Sequence, residues 1–151
     1  MIACVQCEAK TQDGTRCKRN TCRTSDYCFQ HLAKIKGLRV KPSNIPMGGL
    51  GLFTTVARKK GSKVANYTGT VSARPKGLYS VAISKGKFMN SESTQNAVGR
   101  YANTCRKKDK PKCKGNNAKF SVHRGQVALK ATRRVPAGHE VYASYGHGYR
   151  V

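Results

Sequence analysis

Acid is what this sequence lacks most. Of 151 residues only 6 are Asp or Glu, against 30 Lys and Arg, so the formal net charge is +24 and the pI about 10.3. A chain so short of acid repels itself unless a polyanion lies close, and nucleic acid is the first partner to expect. Tryptophan is absent and aromatics make up 7% of the chain. No apolar run approaches the ~20 residues of a bilayer-spanning helix, which excludes such a helix and leaves no membrane partner to expect. The opening MIACVQCEAK holds neither an apolar h-region nor a cleavage site, so no secretory signal is expected. GxGxxG, P-loop and GxSxG motifs are also missing, which removes the common nucleotide-binding and hydrolase signatures. The length suits one domain of about 115 residues with a small appendage. Disorder, the competing reading of high charge, conflicts with the β-rich segments and glycine turns that alternate from about residue 47 onward.

Cysteine, by contrast, is concentrated. Five of the seven fall in the first 28 residues: Cys4, Cys7, Cys17, Cys22 and Cys28. Without a secretory signal, a disulfide framework is the poorer reading and a metal site the better one. Cys28 and His31 stand at a usual chelate spacing, and Cys7 and Cys17 lie upstream around an Asp13-Gly14 turn. Four soft ligands in a polar stretch too short for a core suit tetrahedral zinc, whose binding energy replaces the missing core. The segment resembles the short Cys-x9-Cys…Tyr-Cys-x2-His zinc modules of large DNA viruses and their relatives. That pattern implies Cys7, Cys17, Cys28 and His31 as the ligands of a structural zinc, with Cys4 and Cys22 as possible replacements. The module is assigned to residues 1–36, with the boundary around residues 32–41. It holds 7 basic and 3 acidic residues, which leaves 23 basic and 3 acidic, a net +20, on the remainder.

From Lys41 the chain reads as short strands broken by glycine and proline: GLFTTVA, KVANYTGTV, LYSVAIS, KFMN, KFSVHRG, QVALKATR and HEVYASY. STQNAVGRYAN is the one helix candidate, with a Ser or Thr N-cap. Many short strands predict a mainly β fold rather than a doubly wound sheet.

Four segments then follow in order: GLGLF at residues 49–53, RYANTC at 100–105, GNNAKF at 115–120, and VPAGHEVYASYGHGY at 135–149. Together they resemble the SET domain of protein-lysine methyltransferases, in the minimal version of large DNA viruses, across residues 38–151. The resemblance implies small β-sheets around a knot-like, threaded C-terminal segment, and S-adenosylmethionine as methyl donor. It implies that Gly49, Leu50 and Gly51 let the backbone approach the donor's methionine part, and that Arg100, Asn103, Thr104 and Asn117 complete the donor site. Tyr145 matches the tyrosine beside the transferring methyl, Tyr79 an aromatic residue of the lysine channel, and Phe120 a position that limits the number of methyls added. Phe rather than Tyr at that position implies di- or trimethylation. Tyr67 and Tyr101 read as packing residues, Tyr142 as core, and His123, His139 and His147 as surface or turn residues.

The chemistry suits these residue types. Methyl transfer needs amine, methyl carbon and sulfur held in line. Lysine, with a reference pKa of about 10.4, must first lose a proton, and an apolar channel beside a sulfonium cation favours the neutral amine. The sequence departs from the family in three places. Thr104 stands where a histidine is usual, leaving its backbone to contact the adenine. Residues 105–119 form a longer segment than usual, with seven basic residues and one acid, and read as a solvated, mobile loop. The C-terminal cysteine cluster of many relatives is missing, for which a short aromatic tail including Tyr149, or a homodimer partner, would substitute.

The expected activity is therefore histone-lysine methylation on chromatin, or methylation of another basic protein, with the basic surface gripping DNA or the nucleosome. The corresponding locations are intracellular: a host nucleus, a viral factory or a virion. The rival reading is a basic DNA-packaging protein with a degenerate SET-like domain, favoured by Thr104 and the excess charge. Three acids on the larger domain, Glu92, Asp109 and Glu140, make a poor acidic groove for a free histone tail.

Overall fold

The computed structural model describes residues 4–22, 25–75, 80–91 and 97–144. Its order begins with two short antiparallel strands, β1 (Val5–Gln6) and β2 (Asn20–Thr21), paired Val5 to Thr21. One step further along this ladder Cys4 faces Cys22, their Cα atoms 4.1 Å apart and their sulfurs bonded. A second bridge joins Cys105 to Cys113, while Cys7, Cys17 and Cys28 stay free. This corrects the sequence reading on two counts: disulfides accompany the metal site, and Cys4 and Cys22 are partners of each other rather than spare ligands. Strand register, invisible in cysteine spacing, makes the difference. Denatured in chelator without reductant, the protein should therefore titrate three reactive thiols, rising to seven after reduction. Seven at the outset would overturn both bridges.

A short helix, Phe29–His31, runs on as a π-helical turn, Leu32–Lys36, and strand β3 (Leu38–Pro42) follows at once. The boundary stretch is thus structured throughout, and Leu32, Leu38 and Val40 are all buried in the main core. β3 is a strand that the sequence reading left out, as it did the two-residue β1 and β2. Only Leu38 and Val40 of LRVKP face inward, and the lysine and proline at its end mask the alternation.

β4 (Leu50–Thr54) lies between β3 and β11 (Glu140–Val141), antiparallel to both. Flanked on both sides, its last four residues are buried. A four-stranded sheet runs β12 (Ala143–Ser144), β9 (Ala118–His123), β10 (Gln126–Ala131), β5 (Lys63–Tyr67). β9 and β10 form a hairpin whose two turn residues, Arg124 and Gly125, both have positive φ, at 50° and 75°, as a two-residue loop matched to strand twist requires. β10 alternates cleanly, burying Val127, Leu129 and Ala131. A third sheet holds β6 (Thr70–Ser72), β8 (Lys87–Asn90) and β7 (Ser80–Ser84). Leu38, Leu52, Leu129, Val135 and Val141 are fully buried, each stabilising the fold by roughly 1.5–3 kcal/mol through removal of apolar surface from water.

Two further expectations change. Where a helix was expected over STQNAVGRYAN, the described part is a single 3-10 turn, Val98–Tyr101, preceded by Ala97; the expected Ser or Thr cap lies outside the described residues. Gly99 holds this turn close to β5, since a Cβ there would come within 2.9 Å of the Asn66 carbonyl oxygen. The segment 105–119, expected as a mobile loop, is tied down, and its last two residues open β9. The disulfide closes it, the Cys105 amide donates to Asn116 Oδ1 (2.8 Å), and Lys107–Asp109 forms a 3-10 turn. Among the described residues no helix is long and apolar enough to cross a membrane.

Candidate active site and metal centre

The N-terminal ligands come together because β1, its partner strand and the helix start converge on one small cluster. Cys7, Cys17 and Cys28 are buried with Ala9, and Tyr27 packs beside them. The ligand atoms of Cys7, Cys17, Cys28 and His31 all lie within 4.8 Å of one another. His31 Nδ1 is 3.3 Å from Cys28 Sγ and 3.6 Å from Cys7 Sγ. Three sulfurs and one imidazole nitrogen at such separations fit a tetrahedral zinc with no open position. Burial alone would raise the Cys28 thiol, but hydrogen bonds from the His31 backbone and ring and from Cys7 outweigh it and bring it down to about 7. Burial pushes the Cys7 thiol up. Cys28 thus carries thiolate character near neutral pH, which a metal ligand needs.

The second site is organised by the strand formed by residues 140–144. Its first half pairs with β4, and its second half runs parallel to β9. Between them, Tyr142 bridges Asn103 on one side, and the Asn117 side chain grips the backbone on the other. Asn117 Nδ2 donates to the Glu140 carbonyl (3.0 Å), and the Tyr142 amide donates to Asn117 Oδ1 (2.8 Å). The segment is held from three sides, as the expected threading requires.

Glu140 is the hub. Its carboxylate, only 3% exposed, accepts from Ser43 Oγ (2.6 Å), the Asn44 amide (2.8 Å) and the Tyr142 hydroxyl (2.8 Å). Burial, and then the carboxylate beside it, push the Tyr142 phenol well above the usual tyrosine range. Asn103 Nδ2 donates to the Leu50 carbonyl (3.0 Å) and lies 3.5 Å from Glu140 Oε1. One buried carboxylate therefore fixes the loop after β3, the glycine loop and the threaded strand together.

The sequence-predicted residues divide accordingly. Gly49, with φ +62°, has nothing within 4 Å of where a Cβ would stand, so its backbone is open to a ligand. Gly51 is different: an added Cβ would overlap Glu140 Oε1 and stand 3.0 Å from that carboxyl carbon. It therefore needs glycine for an internal reason as well, beside the expected donor approach. The Thr104 hydroxyl donates to the Ala143 carbonyl (2.8 Å), so the residue in the usual histidine position braces the strand instead. Arg100 turns elsewhere, donating to the Ser91 carbonyl (3.2 Å) with its guanidinium 5.0 Å from the Tyr101 ring centre. Phe120 meets Tyr67 edge to face at 4.9 Å. Tyr67 and Tyr101 are buried as packing residues, and His123 and His139 are exposed. Tyr145, Tyr79, Tyr149, His147 and Glu92 lie outside the described residues. Sequence reasoning missed Glu140 as a structural hub, although an acid inside the closing segment of so acid-poor a chain was the available signal.

No protein-family model matches this sequence, and no curated protein matches it. Solved structures do. The methyltransferase domain of human PR domain-containing protein 2 superposes with a TM-score of 0.57 at 16% identity, over 76% of this chain and 82% of that one. The Chaetomium thermophilum polycomb repressive complex 2 gives 0.59 at 18% identity, over 76% of this chain. The same complex bound to S-adenosylmethionine gives 0.60 at 19%. This chain spans 16% of those polycomb chains. The small sheets, the strand held between Asn103 and Asn117, and these likenesses together give the chain the SET-type fold that its four segments resemble.

Proposed function

We propose that this protein is an S-adenosylmethionine-dependent protein-lysine N-methyltransferase, of the minimal kind resembling those of large DNA viruses. Its substrate is a histone or another basic protein on chromatin, and its basic surface anchors it to DNA. The observation that carries the reading is the strand at 140–144, held by Asn103 and Asn117 against the glycine loop, since it delivers Tyr145 from a fixed point.

Part of the expected donor site supports this reading. Gly49 leaves its backbone open, Asn103 fixes the Leu50 carbonyl, and Thr104 holds the strand that leads to Tyr145. When bound, the donor supplies an electrophilic methyl on a sulfonium. The chain's own work is to orient the lysine amine and keep it neutral. An apolar channel beside the donor's sulfonium favours the neutral amine, whereas the net +20 on this part of the chain repels a free basic tail. DNA answers the repulsion by neutralising the surface and holding the substrate close.

Incubation with labelled S-adenosylmethionine and nucleosomes, free histones or no substrate, beside a Tyr145→Phe control, tests this. Label on nucleosomes in excess of free histones, lost in Tyr145→Phe, is the expected result. Absence of label from every sample would leave the degenerate, DNA-packaging reading, which the diversion of Thr104 to Ala143 favours. Phe120→Tyr should shift the products toward monomethyl-lysine, because an added hydroxyl occupies room near the amine; an unchanged distribution by mass spectrometry removes Phe120 from that role.

A further inference from the structure

Resting on the DNA-anchored reading above, we infer that the disulfide-closed lobe between Cys105 and Gly115 is the contact for the phosphate backbone of duplex DNA, placed beside the active site. Six of the nine residues from 106 to 114 are Lys or Arg, and all six are exposed. The one acid among them, Asp109, turns back on its own chain, where Oδ2 accepts the Arg106 amide (3.0 Å). The lobe therefore presents cations outward with its single carboxylate already engaged.

What distinguishes this lobe from basic residues elsewhere is that it is built. The Cys105–Cys113 bridge closes it, and the bridge is buried against Ile45 and Tyr142. From just after β10, Arg133 Nη2 donates to the Lys114 and Gly115 carbonyls, at 3.3 and 3.4 Å, adding another cation while pinning the lobe. Closing five like charges into one short loop, with Lys114 beside it, is unfavourable in isolation and becomes favourable when counter-charges are supplied. Because the loop is ordered in advance, little conformational entropy is lost on binding.

The chemistry selects the partner. Single-stranded nucleic acid is held by bases stacked on aromatic rings, and residues 105–117 contain no aromatic residue. The described part is a 3-10 turn and bends, with no helix to enter a major groove and read bases. Exposed lysines without stacking or readout elements fit the phosphates of a duplex, independent of sequence. The lobe's position matters too: Asn103 and Thr104 enter it and Asn117 leaves it, so DNA held there lies next to the strand that leads to Tyr145. The lysine that reacts would then belong to a protein already on DNA.

The test uses the full-length, zinc-loaded protein and a fluorescent duplex, with affinity measured by anisotropy from 50 to 200 mM salt. In the triple variant Lys107→Gln, Lys108→Gln, Lys110→Gln, the slope of log affinity against log salt should fall by about 2.7, that is about 0.9 for each of three lost phosphate contacts. A control with the same charge change at exposed sites elsewhere, Lys59→Gln, Lys60→Gln, Lys85→Gln, should lose less than one unit of slope. Equal losses in both variants would mean diffuse attraction and overturn the lobe, as would tighter binding to single-stranded RNA or to an acidic polypeptide than to the duplex. Binding is measured without methyl donor, so the two readings fail separately. A localised slope change in a protein that transfers no label would sink the enzyme reading alone; intact label transfer with an unchanged slope would sink the lobe alone.

Discussion

Stripping the N-terminal site of its metal will unfold residues 4–31 and loosen the core beyond them. This part of the chain buries little besides Cys7, Ala9, Cys17 and Cys28, too few side chains to offset the entropy of ordering it. In small zinc modules the metal supplies about 10–16 kcal/mol near neutral pH, which is the folding energy itself. The consequence travels because His31, a ligand, is followed directly by Leu32, which belongs to the main core with Leu38 and Leu52. One zinc per chain is expected by elemental analysis, and a chelator should abolish the amide dispersion of Val5 and Thr21 while lowering the melting temperature of the rest. Cys17→Ala should reproduce the effect without chelator. Native dispersion that survives chelation would show that the Cys4–Cys22 bridge holds the module alone.

Proton competition gives the same site a pH dependence. The Cys28 thiol is depressed to about 7, so its thiolate contributes fully above the ordinary thiol range and is lost as pH falls through 7. Metal affinity should accordingly weaken on acidification, most steeply below about pH 7, while the raised Cys7 thiol keeps it rising with pH beyond the ordinary thiol range.

Glu140→Ala is expected to cost several kcal/mol, at about 1–3 kcal/mol for each donor left without an acceptor, a large share of the stability of an ordinary domain. The substitution removes the acceptor of Ser43 Oγ, the Asn44 amide and the buried Tyr142 hydroxyl together. An unpartnered buried donor costs more than a hydrogen bond gains. Gly51→Ala should also destabilise, since its Cβ overlaps the same carboxylate. The two effects share one cause, so they must not add: alanine at 51 should be tolerated far better once Glu140 is alanine. Urea denaturation of the two single variants and the double completes the cycle. Additive costs would mean that Gly51 and Glu140 act independently, and the hub as described would be wrong.

Most β-strands were legible before any coordinates because their signal is local. KFMN, KFSVHRG and QVALKATR each carry β-branched or aromatic residues between turn residues, and each became one strand within a few positions, while KVANYTGTV divides into β5 and β6 of different sheets. The metal ligands were legible for a similar reason: thiols and an imidazole at chelate spacing in a segment with no core have few other uses. β3 escaped because its two inward residues sit among charged ones. In the described part of STQNAVGRYAN the chain makes a 3-10 turn in which Gly99 approaches the Asn66 carbonyl, a contact with a strand some thirty residues earlier.

The sequence by itself determined a mainly β chain with an excess of positive charge, a four-ligand metal site and four segments in the order of a methyltransferase fold. Tertiary structure alone decided what those residues do to one another. It paired Cys4 with Cys22 and Cys105 with Cys113, turned Thr104 to Ala143, gave Gly51 an internal reason to be glycine, and made the rare acid Glu140 the support of the glycine loop. It also changed the meaning of the acid shortage. Periodicity and chelate spacing are written along the chain, whereas hydrogen bonds spanning as many as 97 positions exist only once the strand at 140–144 is in place.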